Sequence, residues 1–185
     1  MEIKGTAVIA IRDYVKLNHK ESYDKWIDSL PQDSSYIFKN AIDSSKWYPI
    51  KEGGIMPTRK AAEMFFDSDY QKGAWEMGKY SAEKALTGIY KIFVKASSPG
   101  YIVQRASRVF ATYYQPCKMV ATKSTEKSTL LEISNMTESD IVIELRIKGW
   151  IEKALDISGA KNCKMNSPKS MAKGDEVTQF DIEWE

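Results

Sequence analysis

Residues 147 to 184 read IKGWIEKALDISGAKNCKMNSPKSMAKGDEVTQFDIEW, and the periods in this stretch decide the fold. Trp150 to Ile157 has a helical pattern, and Gly159 supplies the residue that ends it. Lys161 to Asn166 then predicts a strand, Gly174-Asp175 a turn, and Val177 to Trp184 a last strand. In that last strand Thr178, Phe180, Ile182 and Trp184 point one way, while Val177, Gln179, Asp181 and Glu183 point the other. This is the period-two pattern of a half-buried antiparallel strand. Its apolar face needs a cover, which the helical sequence upstream must supply. The expectation is an α+β fold, with an N-terminal helical layer packed on a C-terminal antiparallel sheet of four to five strands.

Just upstream, Asp140 to Lys148 carries two signals. Ile141, Ile143, Leu145 and Ile147 alternate like a strand, yet Ser139-Asp140 is a helix start and no breaker separates the segment from Trp150 to Ile157. Helix is the reading adopted. Cys117 to Thr122 and Thr129 to Ile133 flank the polar Ser124 to Ser128, which is a hairpin signal. Before Pro116 the chain reads helical. Thr6 is placed to cap a first helix with Val8, Ile11 and Val15 on one face. Tyr23, Trp26, Ile27 and Leu30 form a second stripe, stopped by Pro31. Asp33 or Ser34 can open a short third helix through Phe38 to Ile42, which the Trp47-Tyr48-Pro49 triplet breaks.

Gly53, Gly54 and Pro57 predict a loop, followed by a helix over Arg59 to Phe66. Tyr70 to Tyr80 is helical but contains Gly73 and Gly78, each costing roughly 1 kcal/mol against alanine; close backbone approach is the better reason for glycine there. Leu86, Ile89, Tyr90 and Phe93 continue at helical spacing. Ser98-Pro99 is a further helix start, with proline at the position that needs no amide donor. These elements imply one domain over residues 1–185, with 1–116 mainly helical and 117–185 holding the hairpin, a helix and two strands.

Hydrophobic residues make up 43% and charged residues 28% of the 185, and the net charge of +2 is interspersed. A polyanion-binding stripe is excluded by that distribution. No signal peptide pattern opens the chain and no apolar run approaches a membrane span, so cytoplasmic residence is expected. Cys117 and Cys163 lack zinc-knuckle spacing; as buried small hydrophobes or as a redox switch, they are expected to stay reduced.

His19 is the only histidine, and its place at a probable helix end suits a helix-terminal cation or a surface residue. No Gly-x-Ser-x-Gly elbow or phosphate-binding loop occurs. Asp67 with Asp69, and Glu138 with Asp140, sit beside helix starts, where capping is their expected duty. The aromatics remain. Stripes at helical spacing are usually core, but an apolar ligand cavity draws on the same residues. Candidates for such a lining are Trp47, Tyr48, Phe65, Phe66 and Trp75, with Tyr90, Phe93, Phe110, Tyr113 and Trp150 further along.

Several short motifs, Lys148-Gly149-Trp150-Ile151-Glu152, Ser158-Gly159-Ala160-Lys161-Asn162, Gly174-Asp175 and Phe180 to Trp184, resemble the C-terminal half of a bacterial family related to haem NO-binding domains. Lys4-Gly5, Trp47-Tyr48-Pro49, Gly78 before Ser81-Ala82-Glu83, and Gln104-Arg105-Ala106 to Phe110 are similar to its N-terminal half. The wider superfamily includes 4-vinyl reductase domains and TRAPP vesicle-tethering subunits. The resemblance implies a homodimer with an interior able to hold a small ligand or acyl chain. Haem-binding members carry an axial histidine on a mid-chain helix and a Tyr-x-Ser-x-Arg clamp, and zinc-binding members place cysteines near the positions of Ser167 and Val177. This chain has none of these, so neither haem nor zinc is expected. The implied function is a non-enzymatic, sensor-like domain that binds a small hydrophobic ligand and signals through a dimer or partner surface. A ligand-free TRAPP-like scaffold is the alternative.

Overall fold

The computed structural model describes residues 1–87 and 98–185, apart from the side chain of Gln104. The chain runs β1 (Glu2–Lys4), α1 (Gly5–Asn18), α2 (Tyr23–Ser29), α3 (Gln32–Lys39), β2 (Trp47–Pro49), α4 (Met56–Phe65) and α5 (Tyr70–Thr87). It continues as α6 (Pro99–Ala111), β3 (Tyr114–Gln115), β4 (Lys118–Ser124), β5 (Ser128–Ser134), α7 (Ile141–Ile157), β6 (Lys164–Lys169) and β7 (Thr178–Glu183). Four strands form an antiparallel sheet in the order β4-β5-β7-β6. The α+β architecture is as expected from the C-terminal periodicity. None of the described helices is long and apolar enough to cross a membrane.

β7 lies inside this sheet. It pairs with β5 from Ser128 opposite Glu183 to Ile133 opposite Thr178, and with β6 on its other side. Phe180, Ile182 and Trp184 are all buried in the main core, each such side chain contributing about 1.5–3 kcal/mol. The strand expected at Lys161 to Asn166 instead begins at Lys164 and runs through Pro168 to Lys169. Asn162 adopts a left-handed φ of 50°, which breaks the extended run, while Lys161 exchanges backbone hydrogen bonds with Glu185. Proline is accommodated because β6 is an edge strand, and the register shifts between Asn166 and Lys169.

A second, three-stranded sheet has the order β2-β1-β3. Ile3, fully buried, faces Tyr48 on one side and Tyr114 on the other. Trp47-Tyr48-Pro49, expected only as a breaker, is therefore a strand. Strands of two or three residues are too short to show a period, which is why this sheet is not visible in the sequence. Thr6 is not a cap: α1 starts at Gly5 directly after β1, with Lys4 extended before it. Likewise α3 begins at Gln32 after Pro31, so Asp33 and Ser34 lie inside it. The Gly53-Gly54 segment is not a loop but a buried π-helical turn, Lys51–Ile55, leading into α4.

Of the four acids expected to cap, Asp69 and Asp140 do so, whereas Glu138 pairs with the N-terminal amine of Met1 and Asp67 adopts a left-handed φ of 50°. Asp69 Oδ1 accepts from the Lys72 amide at the start of α5. Asp140 Oδ1 accepts from the Val142 amide of α7 at 2.9 Å, while both its oxygens bind Arg59 of α4. The 140–148 ambiguity resolves as one continuous helix, α7. It shows a mixed period because it is buried on more than one side: Val142, Ile143, Glu144, Arg146, Ile147 and Ile151 are all inside. The helix expected over Leu86 to Phe93 lies largely outside the described residues.

Candidate functional site

α5 and α7 run antiparallel with their backbones almost in contact. A β-carbon on Gly78 would lie 2.1 Å from the Arg146 carbonyl oxygen, and one on Gly149 would lie 2.2 Å from the Trp75 carbonyl oxygen. The glycine expected for close approach at 78 is thus matched by a reciprocal one at 149. Beside this crossing, α6 and the start of β4 leave a cavity of about 50 Å³, room for roughly three to five water-sized groups. Ala7, Ala106, Val109, Phe110, Met119 and Ile147 make apolar walls. Ser81, Tyr113, Tyr114, Arg146 and Trp150 add the polar atoms, and no carboxylate is among the lining residues.

Arg146 is the unusual member. It is 2% exposed, and its Nη2 donates a long hydrogen bond of 3.3 Å to the Ala7 carbonyl. Nε and Nη1 find no acceptor among the described residues, and neither does the buried Nε1 of Trp150. Burial lowers the guanidinium from its ordinary value, but a guanidinium stays protonated at neutral pH. Burial also raises the Tyr114 phenol, an effect that the nearby Arg146 charge partly offsets. Buried charges are ordinarily paired. This one is not.

Of the aromatic candidates, Phe110, Tyr113 and Trp150 line the cavity. Trp75 is not among the lining residues; its Nε1 donates to Glu152 at 3.1 Å and Lys79 lies over its ring. Phe65 stacks on His19 with ring centroids 3.9 Å apart, and Phe66 lies against Tyr14. Trp47 and Tyr48 are on β2; Lys4 covers the Trp47 ring, and the Tyr48 hydroxyl accepts from the Asp43 amide. Tyr90 and Phe93 lie outside the described residues. Arg146 was missed by sequence reasoning. Its signal was a basic residue among the closely spaced apolar residues of Ile141 to Ile151, which only a helix buried on several sides turns into a buried charge.

Glu144, in the same run, is also a buried charged residue. It accepts from Ser170 Oγ and Thr178 Oγ1, both at 2.6 Å, and from the Ala172 amide at 3.1 Å. Thr178 in turn accepts from the Met171 amide. This network belongs to the connection between β6 and β7 rather than to the cavity, and it explains why a threonine occupies the inward face of β7.

Both cysteines are free thiols, Cys117 buried and Cys163 half-buried. Burial pushes the Cys117 thiol up from 9.0 to about 11 and raises Cys163 as well, so neither is a ready nucleophile at neutral pH. A raised folded-state value means that the unfolded chain ionises first. Stability is expected to be undiminished by Cys117 below pH 9.0 and to fall as the pH rises towards about 11. At the acid end, burial lowers His19 from 6.5; its contribution is present above that value and declines as the pH falls below it. Denaturant midpoints measured across this range should show both losses, and a Cys117→Ala variant should retain more of its stability at the alkaline end.

No protein-family model matches the chain, and no curated protein is similar to it in sequence. Solved structures do match. The chain is similar to an H-NOX protein from S. oneidensis in the Fe(II)NO ligation state, with TM-score 0.76 and 13% identity over 99% of both chains. It is also similar to an Fe(II) unliganded H-NOX protein from K. algicida, with TM-score 0.72 and 11% identity over 99% of this chain and 97% of that one. A mutant H-NOX from T. Tengcongensis gives TM-score 0.72 and 12% identity over 99% and 98%. The chain has the H-NOX fold.

This corrects the expectation that the chain stands apart from haem and other cofactors, because proteins of the same fold are described by the ligation state of their Fe(II). The side chains of the cavity can be tested against such a group. His19 is not among the lining residues, and no group of three or more His, Cys, Asp or Glu residues able to hold a metal occurs among the described residues. The lining offers phenols and the Met119 thioether as iron-ligand types. At about 50 Å³ the cavity is well below the roughly 300–1,000 Å³ of an ordinary cofactor pocket. In this arrangement the residues do not fit a histidine-ligated haem.

Proposed function

We propose that residues 1–185 form a single sensor-like domain, without catalytic activity, that binds a small and mainly apolar ligand beside the α5–α7 crossing. One observation carries the reading. A void walled mainly by apolar side chains counts Arg146 and Trp150 among its lining residues, and buried donors of both have no acceptor among the described residues. A ligand-free scaffold has no use for such a space and would fill it. The likeness to H-NOX proteins named by their ligation states is in keeping with a fold that encloses a bound group.

The glycine contacts hold α5 and α7 at one separation, so α6 is the wall left to move when the cavity fills. A displacement of α6 would alter the outer surface presented to a second copy of the chain or to a partner protein. Protein purified from its own host is expected to carry a bound mass in native mass spectrometry, and its absorption spectrum will distinguish an iron porphyrin from other occupants. Removing the occupant should lower the melting temperature by about 5–10 °C, which is the size expected for a ligand held at roughly a hundredfold above its Kd in a domain of this length. Protein that emerges empty from its host, with no ligand-dependent shift, would overturn this reading.

A further inference from the structure

We infer that the cavity recognises a short-chain monocarboxylate, its carboxylate held by Arg146 and its carbon chain lying against the apolar walls. The inference rests on the ligand-binding reading above and adds the chemistry of the ligand. Arg146 is 98% buried, lines the cavity, and has both Nε and Nη1 without an acceptor among the described residues. A guanidinium binds a carboxylate in bidentate fashion through Nη2 together with either Nε or Nη1, and both of those partner atoms are without an acceptor among the described residues. Trp150 Nε1, also without an acceptor there, adds a third donor.

Among the described residues no lining side chain carries a negative charge, so none of them supplies a counter-ion in the cavity. An acceptor-only, singly negative head group matches that donor set. Size and wall chemistry limit the rest. Ala106, Val109, Phe110 and Ile147 favour a hydrocarbon tail over a fully hydrated oxyanion, and the volume of about 50 Å³ limits it to a few carbons. The Ala7 carbonyl accepts one N–H of Nη2, which anchors the guanidinium and leaves the second N–H of Nη2 to form a bidentate edge with Nε or Nη1.

The test uses sodium butyrate against 1-butanol, which has the same chain length without the charge, and against sodium chloride at equal ionic strength. Thermal unfolding of the full chain at pH 7 is expected to show a rise of several degrees with butyrate and no comparable rise with butanol or chloride. Arg146→Met, similar in length and uncharged, is expected to abolish the butyrate response while folding as well as the parent or better, because an unpaired buried charge is removed. Arg146→Lys, which keeps the charge but not the fork, should weaken butyrate binding at least tenfold and controls for any failure of the methionine variant to fold. Equal responses to butyrate and butanol, or a butyrate response that survives Arg146→Met, would overturn the carboxylate inference while leaving a ligand-binding cavity. No response to butyrate in the parent protein also overturns it; the broader reading falls separately, on protein that is empty when taken from its host.

Discussion

Glu144→Ala is expected to destabilise the protein by about 4 kcal/mol. Its carboxylate receives Ser170 Oγ, Thr178 Oγ1 and the Ala172 amide, and each hydrogen bond to a charged partner contributes about 1.5–3 kcal/mol net. The sum is not additive, since the two hydroxyls can turn towards other acceptors, but the Ala172 amide cannot turn. Glu144 also lies in the first turn of α7, where the helix dipole favours a negative charge. Alanine would leave a void, an unsatisfied amide and two hydroxyls seeking partners, and the β6–β7 connection would lose its tie to α7.

In thermal unfolding the loss should appear as a fall of about 8–16 °C, at roughly 2–4 °C per kcal/mol for a domain of this size. Glu144→Gln keeps the shape and one acceptor and should cost about half as much. Hydrogen exchange should show the Ala172 amide, in the β6–β7 connection, losing protection before β7 does. A cost below 1 kcal/mol for the alanine variant would mean that the network is not what holds this connection.

Gly78→Ala is expected to cost about 3 kcal/mol, although alanine is the better helix former by about 1 kcal/mol. The added carbon would lie 2.1 Å from a backbone oxygen of α7, and a main-chain carbonyl in mid-helix cannot swing aside as a side chain can. The two helices must separate, which places the change among the more costly overpacking substitutions. Gly149→Ala meets the Trp75 carbonyl in the same way. Because either substitution forces the same separation, the double variant should cost clearly less than the sum of the two. Denaturant unfolding of the three variants measures this directly. A stability gain in either single variant would show that the helices slide past each other without loss. The same separation would widen the cavity beside Arg146, so ligand responses should change in these variants even though neither glycine bears a donor.

Local pattern was enough to place β7 and its inward set, the β4–β5 hairpin and the cap at Asp140. A strand of six residues or a capped helix carries its signal in its own neighbours. The requirement for glycine at 78 was also legible, since glycine in a helix interior has a cost that only close packing offsets.

Other features had no local signal to read. The β2-β1-β3 sheet is made from strands too short for a period, joined across more than a hundred residues. Arg146 and Glu144 sit two residues apart on one helix, yet the first lines a cavity without a counter-charge and the second is bound by three donors. Sequence determined that α7 is a helix with Glu144 and Arg146 set among closely spaced apolar residues. Tertiary structure alone decided what surrounds each charge, because residues two apart on a helix point in directions about 200° apart, and what meets them there comes from α1 in one case and from the β6–β7 connection in the other.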